Sequence, residues 1–541
     1  MARSVTLRPW QKAALERLRA SASPDFLAVA TPGAGKTTFA LTAARQALAA
    51  EPGLRLLVVV PTAHLKAQWA QAASAFDMHL DWRWSPTEGG LPSDMHGVVT
   101  TYQQVAGSAA VLRGLAGNAM VILDELHHAA EERAWGDALR IAFETAPRRL
   151  ALSGTPFRSD TQAIPFVGYQ GDEAVPDYEY GYGDALADGG VVRPVYFPRI
   201  DGMMEWSAPD GSLHAHSFDD TLDAARAGQR LRTAYSLGGE WLPHVLRQAH
   251  DQLLTIRRRQ PDAGGLVIAT DQDHAKGIAR LLADRLHVRA VVATSDDPDA
   301  SAGISRFASG SDPWIVAVRM VAEGVDIPRL RVGVFATTTT TELFFRQAVG
   351  RLVRWTPGSS GQKSFLYIPD EPRLRARALS IAEQRRHSLR HEDRDLTGRE
   401  PPEEAVEEQI SLFAPISAVP LSDGSEPDWV VDADRSPEPV ADAALTIPLP
   451  PLPAAGRGPG ATAGLPDGRT RREHKARLRR ANADKGRLIA HHTGLTHAGV
   501  NAELNRVSGV KKVGEATLEE LERRLDKADT WLRQASGRRV G

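Results

Sequence analysis

The sequence predicts an α/β protein: two tandem parallel-sheet domains, then a disordered linker and a small α-helical module at the C-terminal end. Three observations carry this. From residue 26 to about 368, short apolar runs of strand length alternate with longer stretches of helical spacing, the pattern of parallel sheets covered by helices. Residues 400–465 are dense in Pro, Asp and Glu, including Pro401-Pro402-Glu403-Glu404, and such a stretch buries too little to fold. Residues 469–541 then hold 18 Lys/Arg against 9 Asp/Glu, so the charge reverses behind an acidic tether. The expected boundaries are 1–196, 197–398, 399–468 and 469–541.

Size and composition agree with that division. A chain of 541 residues exceeds what one core usually serves. An apolar share of 42% and a charged share of 24% are those of ordinary globular proteins, which argues against a wholly disordered or fibrous chain. The formal charge of -2 carries no overall nucleic-acid signature, so any such signature has to be local. With no cysteine, disulfides, thiolate catalysis and sulfur-ligated zinc are excluded. Without an apolar leader core or a run of membrane-spanning length, a cytoplasmic protein is the expectation.

In chain order, buried-strand candidates of the first domain fall at 26–30, 56–60, 97–100, 120–123 and 149–152. A second series falls at 265–269, 288–292, 314–318, 332–336 and 364–367, which makes another sheet of similar size. Between them, 201–260 reads as a loop followed by helix, either a lead-in to the second domain or an inserted subdomain. The last helix opens on a capping box, Thr517 with Glu520. Leu518, Leu521, Leu525, Ala528, Trp531 and Leu532 follow at helical spacing, a stripe that reads as core.

Three runs carry chemistry. Ala30-Thr31-Pro32-Gly33-Ala34-Gly35-Lys36-Thr37 follows a strand and precedes a helix, so the backbone of Thr31, Pro32, Gly33, Ala34, Gly35, Lys36, Thr37 and Thr38 can wrap phosphate at a helix N-terminus, with an amide N–H from each residue but Pro32. Lys36 would reach the β- and γ-phosphates and the Thr37 hydroxyl would ligate Mg²⁺. Alone, this loop also suits a nucleotide kinase or a GTPase. Val121-Ile122-Leu123-Asp124-Glu125-Leu126-His127 sets two carboxylates after an apolar strand, Asp124 to hold Mg²⁺ and Glu125 to orient and deprotonate water. The bland alternative is an acidic turn capping the next helix. Gln347-Ala348-Val349-Gly350-Arg351-Leu352-Val353-Arg354 puts Arg351 and Arg354 three apart on one helical face, candidates with Gln347 for neutralising a transferring phosphoryl group. A solvated basic helix is the alternative, but Leu343, Phe344, Phe345, Val349 and Leu352 make this helix half-buried.

In this order the three runs resemble motifs I, II and VI of superfamily 2 helicases of the DEAD/DEAH type. Over about 7–369 the motif text is nearest the XPB-like and type III restriction enzyme motor branch. The resemblance implies two RecA-like domains and ATP as the nucleotide. It implies that Gln11, in Leu7-Arg8-Pro9-Trp10-Gln11, reads the adenine edge; capping of the first helix is the other reading. Val60-Pro61-Thr62 resembles motif Ia and Thr100-Thr101-Tyr102 motif Ib, which implies that Pro61, Thr62 and Thr101 grip strand phosphates. Leu152-Ser153-Gly154-Thr155-Pro156 resembles motif III, with Gly154 where alanine is more familiar. Glu323-Gly324-Val325-Asp326-Ile327-Pro328 resembles motif V and implies nucleotide contacts for Gly324 and Asp326, while Val318 occupies a frequent threonine position. Thr270 stands where motif IV ends a strand and either holds a phosphate or is a plain strand end.

The expected activity is therefore an ATP-dependent nucleic-acid helicase or translocase, with ATP and Mg²⁺ as cofactors and DNA as partner by branch resemblance. A double-strand translocase or remodelling subunit without unwinding is the near alternative. A nucleic-acid-binding scaffold with weak ATPase is the alternative of another class. The basic C-terminal module, through Arg471, Arg472, Lys475, Arg477, Arg479 and Arg480, would add phosphate contacts or dock a protein partner.

Overall fold

The computed structural model describes residues 4–86, 91, 95–127, 133–154, 164–171, 173–208, 211–294, 300–318, 327–356, 361–389, 414–421, 445–452, 471–513 and 516–537. The chain divides into two compact units. One comprises Met1–Ala28, Lys36–Tyr178 and Ala444–Gly541, the other Val29–Gly35 and Glu179–Ala443.

The first unit opens with β1 (Ser4–Leu7), α1 (Pro9–Ala20), β2 (Asp25–Ala30) and α2 (Lys36–Ala50). There follow β3 (Arg55–Val60), α3 (Ala63–Ala75), β4 (Leu80–Asp81), β5 (Gly97–Thr101) and α4 (Tyr102–Ala116). Next come β6 (Ala119–Leu123), α5 (Arg133–Phe143), β7 (Arg148–Ser153), and the short strands β8 (Gly168–Gln170), β9 (Glu173–Val175) and β10 (Tyr178–Tyr180). The seven-stranded sheet has the order β10-β2-β7-β6-β3-β5-β4. The pairs β3–β5, β3–β6, β4–β5 and β6–β7 are parallel, with Val58 opposite both Val99 and Ile122. Residues 56 to 60 of β3 are all fully buried. A strand covered by helices on both faces has no solvent side, and that is why these strands are continuous apolar runs. Strands β2, β7 and β6 are neighbours, so the loops leaving their carboxyl ends are neighbours too, the usual place for a ligand in a sheet of this kind.

The second unit runs α6 (Tyr182–Ala187), β11 (Val195–Tyr196), β12 (Arg199–Ile200), β13 (Gly202–Ser207), β14 (Leu213–Ser217), α7 (Ala224–Ala234) and α8 (Trp241–Arg257). It continues with β15 (Gly264–Ala269), α9 (Gln272–Leu286), β16 (Ala290–Ala293), α10 (Ala300–Ser309), β17 (Trp314–Val318) and β18 (Leu330–Ala336). It ends with α11 (Glu342–Leu352), β19 (Ser364–Pro369), α12 (Pro372–Leu389) and β20 (Ala414–Pro420). Its main sheet has the order β11-β19-β18-β15-β17-β16, with β12 also on β19 and every one of these pairs parallel. Both units thus carry a mainly parallel sheet of the kind expected. Trp206, Trp241 and Trp314 are buried together in this core, and each ring N–H finds an acceptor: Gln229 Oε1 at 2.9 Å, the Asp201 carbonyl at 3.2 Å and His250 Nδ1 at 3.2 Å.

Two stretches differ from the sequence reading. The start of 201–260 is not a loop: β13 and β14 form an antiparallel hairpin, and β20 pairs with the free side of β13. Burial alternates along β13, with Gly202, Met204 and Trp206 inside, but the strand lacks the β-branched residues that usually betray one. Within 399–468, β20 and β21 (Leu445–Pro448) are strands, β21 pairing antiparallel with β1. The C-terminal helices are α13 (Arg471–Thr493), α14 (His497–Ser508) and α15 (Leu518–Gly537). The capping box is present: Thr517 N–H donates to Glu520 Oε2 at 2.8 Å, and Glu520 N–H to Thr517 Oγ1 at 3.1 Å. Leu518, Leu521 and Ala528 are core as expected, and Lys475 is buried rather than presented to solvent, while Arg477 and Arg480 are exposed. Among the described residues no helix is long and apolar enough to cross a membrane.

Candidate active site

After β2 the chain turns tightly, Ala34 N–H donating to the Thr31 carbonyl at 3.0 Å. Gly33 and Gly35 lie at φ +86° and +93°, where a side chain is strained, so the two glycines are what let the loop curl ahead of α2. Lys36 is the first residue of α2, and Thr37 and Thr38 follow in the first turn, whose amides have no intrahelical acceptor. Such amides together with an ammonium make a site for an anion.

Across the sheet edge, β6 delivers Asp124 and Glu125. The Lys36 ammonium lies 3.1 Å from Glu125 Oε1, while Glu125 Oε2 accepts the Gly154 N–H at 2.9 Å. His127 Nδ1 is 3.7 Å from the same carboxylate and 3.2 Å from Ser153 Oγ. Two of the three chemistry-bearing runs therefore meet here, through Lys36 at the start of α2 and Glu125 after β6, and Ser153 and Gly154 at the end of β7 join them. Burial by itself pushes the Glu125 carboxyl up, but the Lys36 ammonium, His127 and the hydrogen bonds from Lys36 and Gly154 outweigh it and hold it at about 2. Glu125 sits at φ +48°, a left-handed conformation that costs a residue with a side chain and that recurs at functional sites.

Asp124 is 8% exposed, and its Oδ2 accepts the Trp69 indole N–H at 2.7 Å. Its carbonyl accepts the Tyr102 hydroxyl at 2.9 Å. Neither aromatic residue carries a sequence signal for the site, since each is a buried ring on a helix. The Asp124 carboxylate and the Thr37 hydroxyl are oxygen donors of the kind Mg²⁺ takes, so the residues fit that ion chemically.

In the second unit, Gln347 and Arg351 are four residues apart on α11 and both half-buried. Arg354 is not on that face: the helix ends at Leu352, Val353 caps it, and Arg354 forms a β-bridge with Val192. The Val192 segment takes the backbone that a further turn would have used. The loop Val29–Gly35 groups with this unit. A Cβ on Gly350 would come within 2.6 Å of Pro32 Cγ, and one on Gly33 within 3.3 Å of Arg354 Cδ. Glycine at 350 is what permits that approach.

The remaining candidates are distributed as follows. Gln11 is buried and its Oε1 accepts the Arg8 N–H at 2.8 Å, the capping geometry. Pro61 and Thr62 precede α3, and Thr62 is its N-cap without a side-chain cap bond. Thr101 is the N-cap of α4, its Oγ1 accepting the Gln104 N–H at 3.2 Å. The Thr270 hydroxyl donates to the Ala336 carbonyl at 3.3 Å, tying two strands. Thr155, Pro156, Gly324 and Asp326 lie outside the described residues.

Residues 4–158 match the family model of the type III restriction enzyme res subunit. An uncharacterized protein of Mycobacterium leprae (strain TN) is 38% identical over 561 residues, which span 96% of this chain and 93% of that protein. An uncharacterized protein of Mycobacterium tuberculosis (strain ATCC 25618 / H37Rv) is 45% identical over 390 residues, 71% of this chain and 64% of that protein. Among solved structures, an ATP-dependent Type ISP restriction-modification enzyme bound to DNA is 14% identical, with a TM-score of 0.47 over 70% of this chain and 30% of that one.

Proposed function

We propose that this chain, which belongs to one family with the two mycobacterial proteins and is a superfamily 2 helicase-like protein, hydrolyses ATP to move along a nucleic acid, DNA in preference to RNA. The observation that carries the reading is the Lys36–Glu125 pair at 3.1 Å, set against the glycine loop at the start of α2.

The pair suggests how hydrolysis is gated. Phosphates bound by the loop amides compete for the Lys36 ammonium. Glu125 then loses its partner at 3.1 Å and is released to orient a water and take its proton. In the reaction, water oxygen bonds to the γ-phosphorus, the bond to the β–γ bridging oxygen breaks, and Glu125 takes the water proton. Thr37 and Asp124 would hold Mg²⁺, which supplies charge neutralisation on the phosphates when bound. Arg351 and Arg354, with Gln347, are the proposed groups that neutralise the transferring phosphoryl. The functional division we propose is an ATP-binding domain 1–196, a second motor domain 197–398, a tether 399–468 and a basic module 469–541.

Steady-state ATP hydrolysis alone and with single-stranded DNA, duplex DNA and RNA, beside a Lys36→Ala control, tests this. Strong stimulation by one polymer, lost in Lys36→Ala, is expected. Hydrolysis that ignores Lys36 sinks the nucleotide site; hydrolysis that needs Lys36 but ignores every polymer sinks the motor. The match to a restriction-enzyme subunit model favours a second reading, a double-strand translocase that does not unwind. A strand-displacement assay separates the two.

A further inference from the structure

Two aromatic side chains converge on one residue of the site from two different helices. Trp69, on α3, donates its indole N–H to Asp124 Oδ2 at 2.7 Å and is 3% exposed. Tyr102, the first residue of α4, donates its hydroxyl to the Asp124 carbonyl at 2.9 Å and is fully buried. That carbonyl belongs to the peptide joining Asp124 to Glu125, so Tyr102 holds the plane from which Glu125 departs at φ +48°. Burial, with the Asp124 and Glu125 charges, pushes the Tyr102 phenol up, so it stays a donor at neutral pH.

The same two helices are tied to each other. Lys66, one turn before Trp69 and 6% exposed, donates to Gln104 Oε1 at 3.0 Å. That oxygen also accepts the Thr100 hydroxyl at 3.1 Å and the Thr101 N–H at 3.2 Å. The N-terminal ends of α3 and α4 are the segments Pro61-Thr62 and Thr100-Thr101. A phosphate backbone gripped there would lie about two turns of α3 from Trp69 and directly beside Tyr102, the two donors that fix Asp124.

We propose that Trp69 and Tyr102 are positioning residues that couple strand engagement at Pro61-Thr62 and Thr100-Thr101 to the Asp124-Glu125 pair. This rests on the motor reading above. Coupling between two binding sites is reciprocal, so it is measurable without turnover: nucleotide must change polymer affinity by the same factor as polymer changes nucleotide affinity. The experiment measures the Kd of a fluorescein-labelled oligonucleotide, of whichever polymer stimulates hydrolysis most, with and without adenylyl-imidodiphosphate. In the unaltered protein the two values are expected to differ about tenfold. In Trp69→Phe and in Tyr102→Phe the ratio collapses toward one, while nucleotide-free polymer affinity stays within about twofold. A merely structural role moves both affinities together and leaves the ratio.

If the unaltered protein shows a ratio of one, the motor reading itself fails. If it shows a ratio well above one and both variants keep it, the coupling role is overturned and the motor reading stands. Should Trp69→Phe not fold, Tyr102→Phe, which deletes a single oxygen atom, decides alone.

Discussion

Two cations in this protein, Lys36 half-buried and Arg524 buried, are held in opposite ways. Lys36 is paired with a carboxylate on a strained backbone, Glu125 at φ +48°, and both partners are also groups that phosphate chemistry would recruit. Arg524, on α15, is 1% exposed and among the described residues is bonded to neutral amides rather than to a carboxylate. Its three nitrogens donate to Asn505 Oδ1 at 2.8 Å, Asn482 Oδ1 at 3.0 Å and Asn501 Oδ1 at 2.7 Å. The first arrangement leaves a charge pair that a competing anion can take apart. The second spends every nitrogen on a neutral acceptor from another helix, which fixes how α13, α14 and α15 meet. One is built for exchange and the other for permanence.

The comparison breaks most sharply where a cation serves the reaction alone. Arg351→Ala or Arg354→Ala is expected to lower ATP turnover by about 10³–10⁵, the cost of losing such a group in phosphoryl transfer, with nucleotide binding kept. Turnover rates beside a fluorescent-nucleotide titration check this; unchanged turnover removes the arginines from the mechanism. Next comes Glu125→Gln, which keeps the shape and loses the proton acceptor. A fall of about 10²–10⁴ in turnover is expected, with ATP binding retained.

Much of this site was legible in the sequence, because its parts are adjacent in chain to strong local signals. A five-residue apolar run such as 26–30 in β2 or 56–60 in β3 reads as a buried strand, and a glycine loop or a carboxylate pair soon after such a run can only sit at the sheet's carboxyl edge. Trp69 and Tyr102 were illegible for the opposite reason. A buried aromatic residue on a helix looks like core, and both are core; only the direction of one N–H and one O–H gives them a second role. Arg354 was misplaced because helical spacing continues through it, while the strand bridge that ends the helix comes from Val192, far away in sequence. The asparagines around Arg524 lie on two helices other than its own, so no spacing rule joins them.

The stability of the helical module sharpens the contrast. Arg524→Leu is expected to lower its unfolding free energy by about 2–3 kcal/mol, because three amide oxygens, that of Asn482 buried and those of Asn501 and Asn505 half-buried, lose their donor at once. Equilibrium denaturation followed by circular dichroism measures it, and a neutral result would mean water replaces the guanidinium. Steady-state hydrolysis should be unaffected, since no assigned catalytic group lies in α13, α14 or α15.

The smallest effect concerns basic residues that are neither exchanged nor locked. Arg477 and Arg480 are exposed on α13, while Lys475 on the same helix is buried and Arg479 only partly exposed. If the module contacts phosphates, each exposed arginine that neutralises one releases about 0.9 counterion per contact, so Arg477→Ala with Arg480→Ala should lower the slope of log affinity against log salt by about 2. Affinity at one salt concentration would also fall, and without regard to sequence, but only the slope counts the phosphates neutralised, which is why it is the quantity to measure. A slope identical to that of the unaltered protein assigns these arginines to a protein partner or to solvent, and places the whole phosphate grip in the two parallel-sheet units.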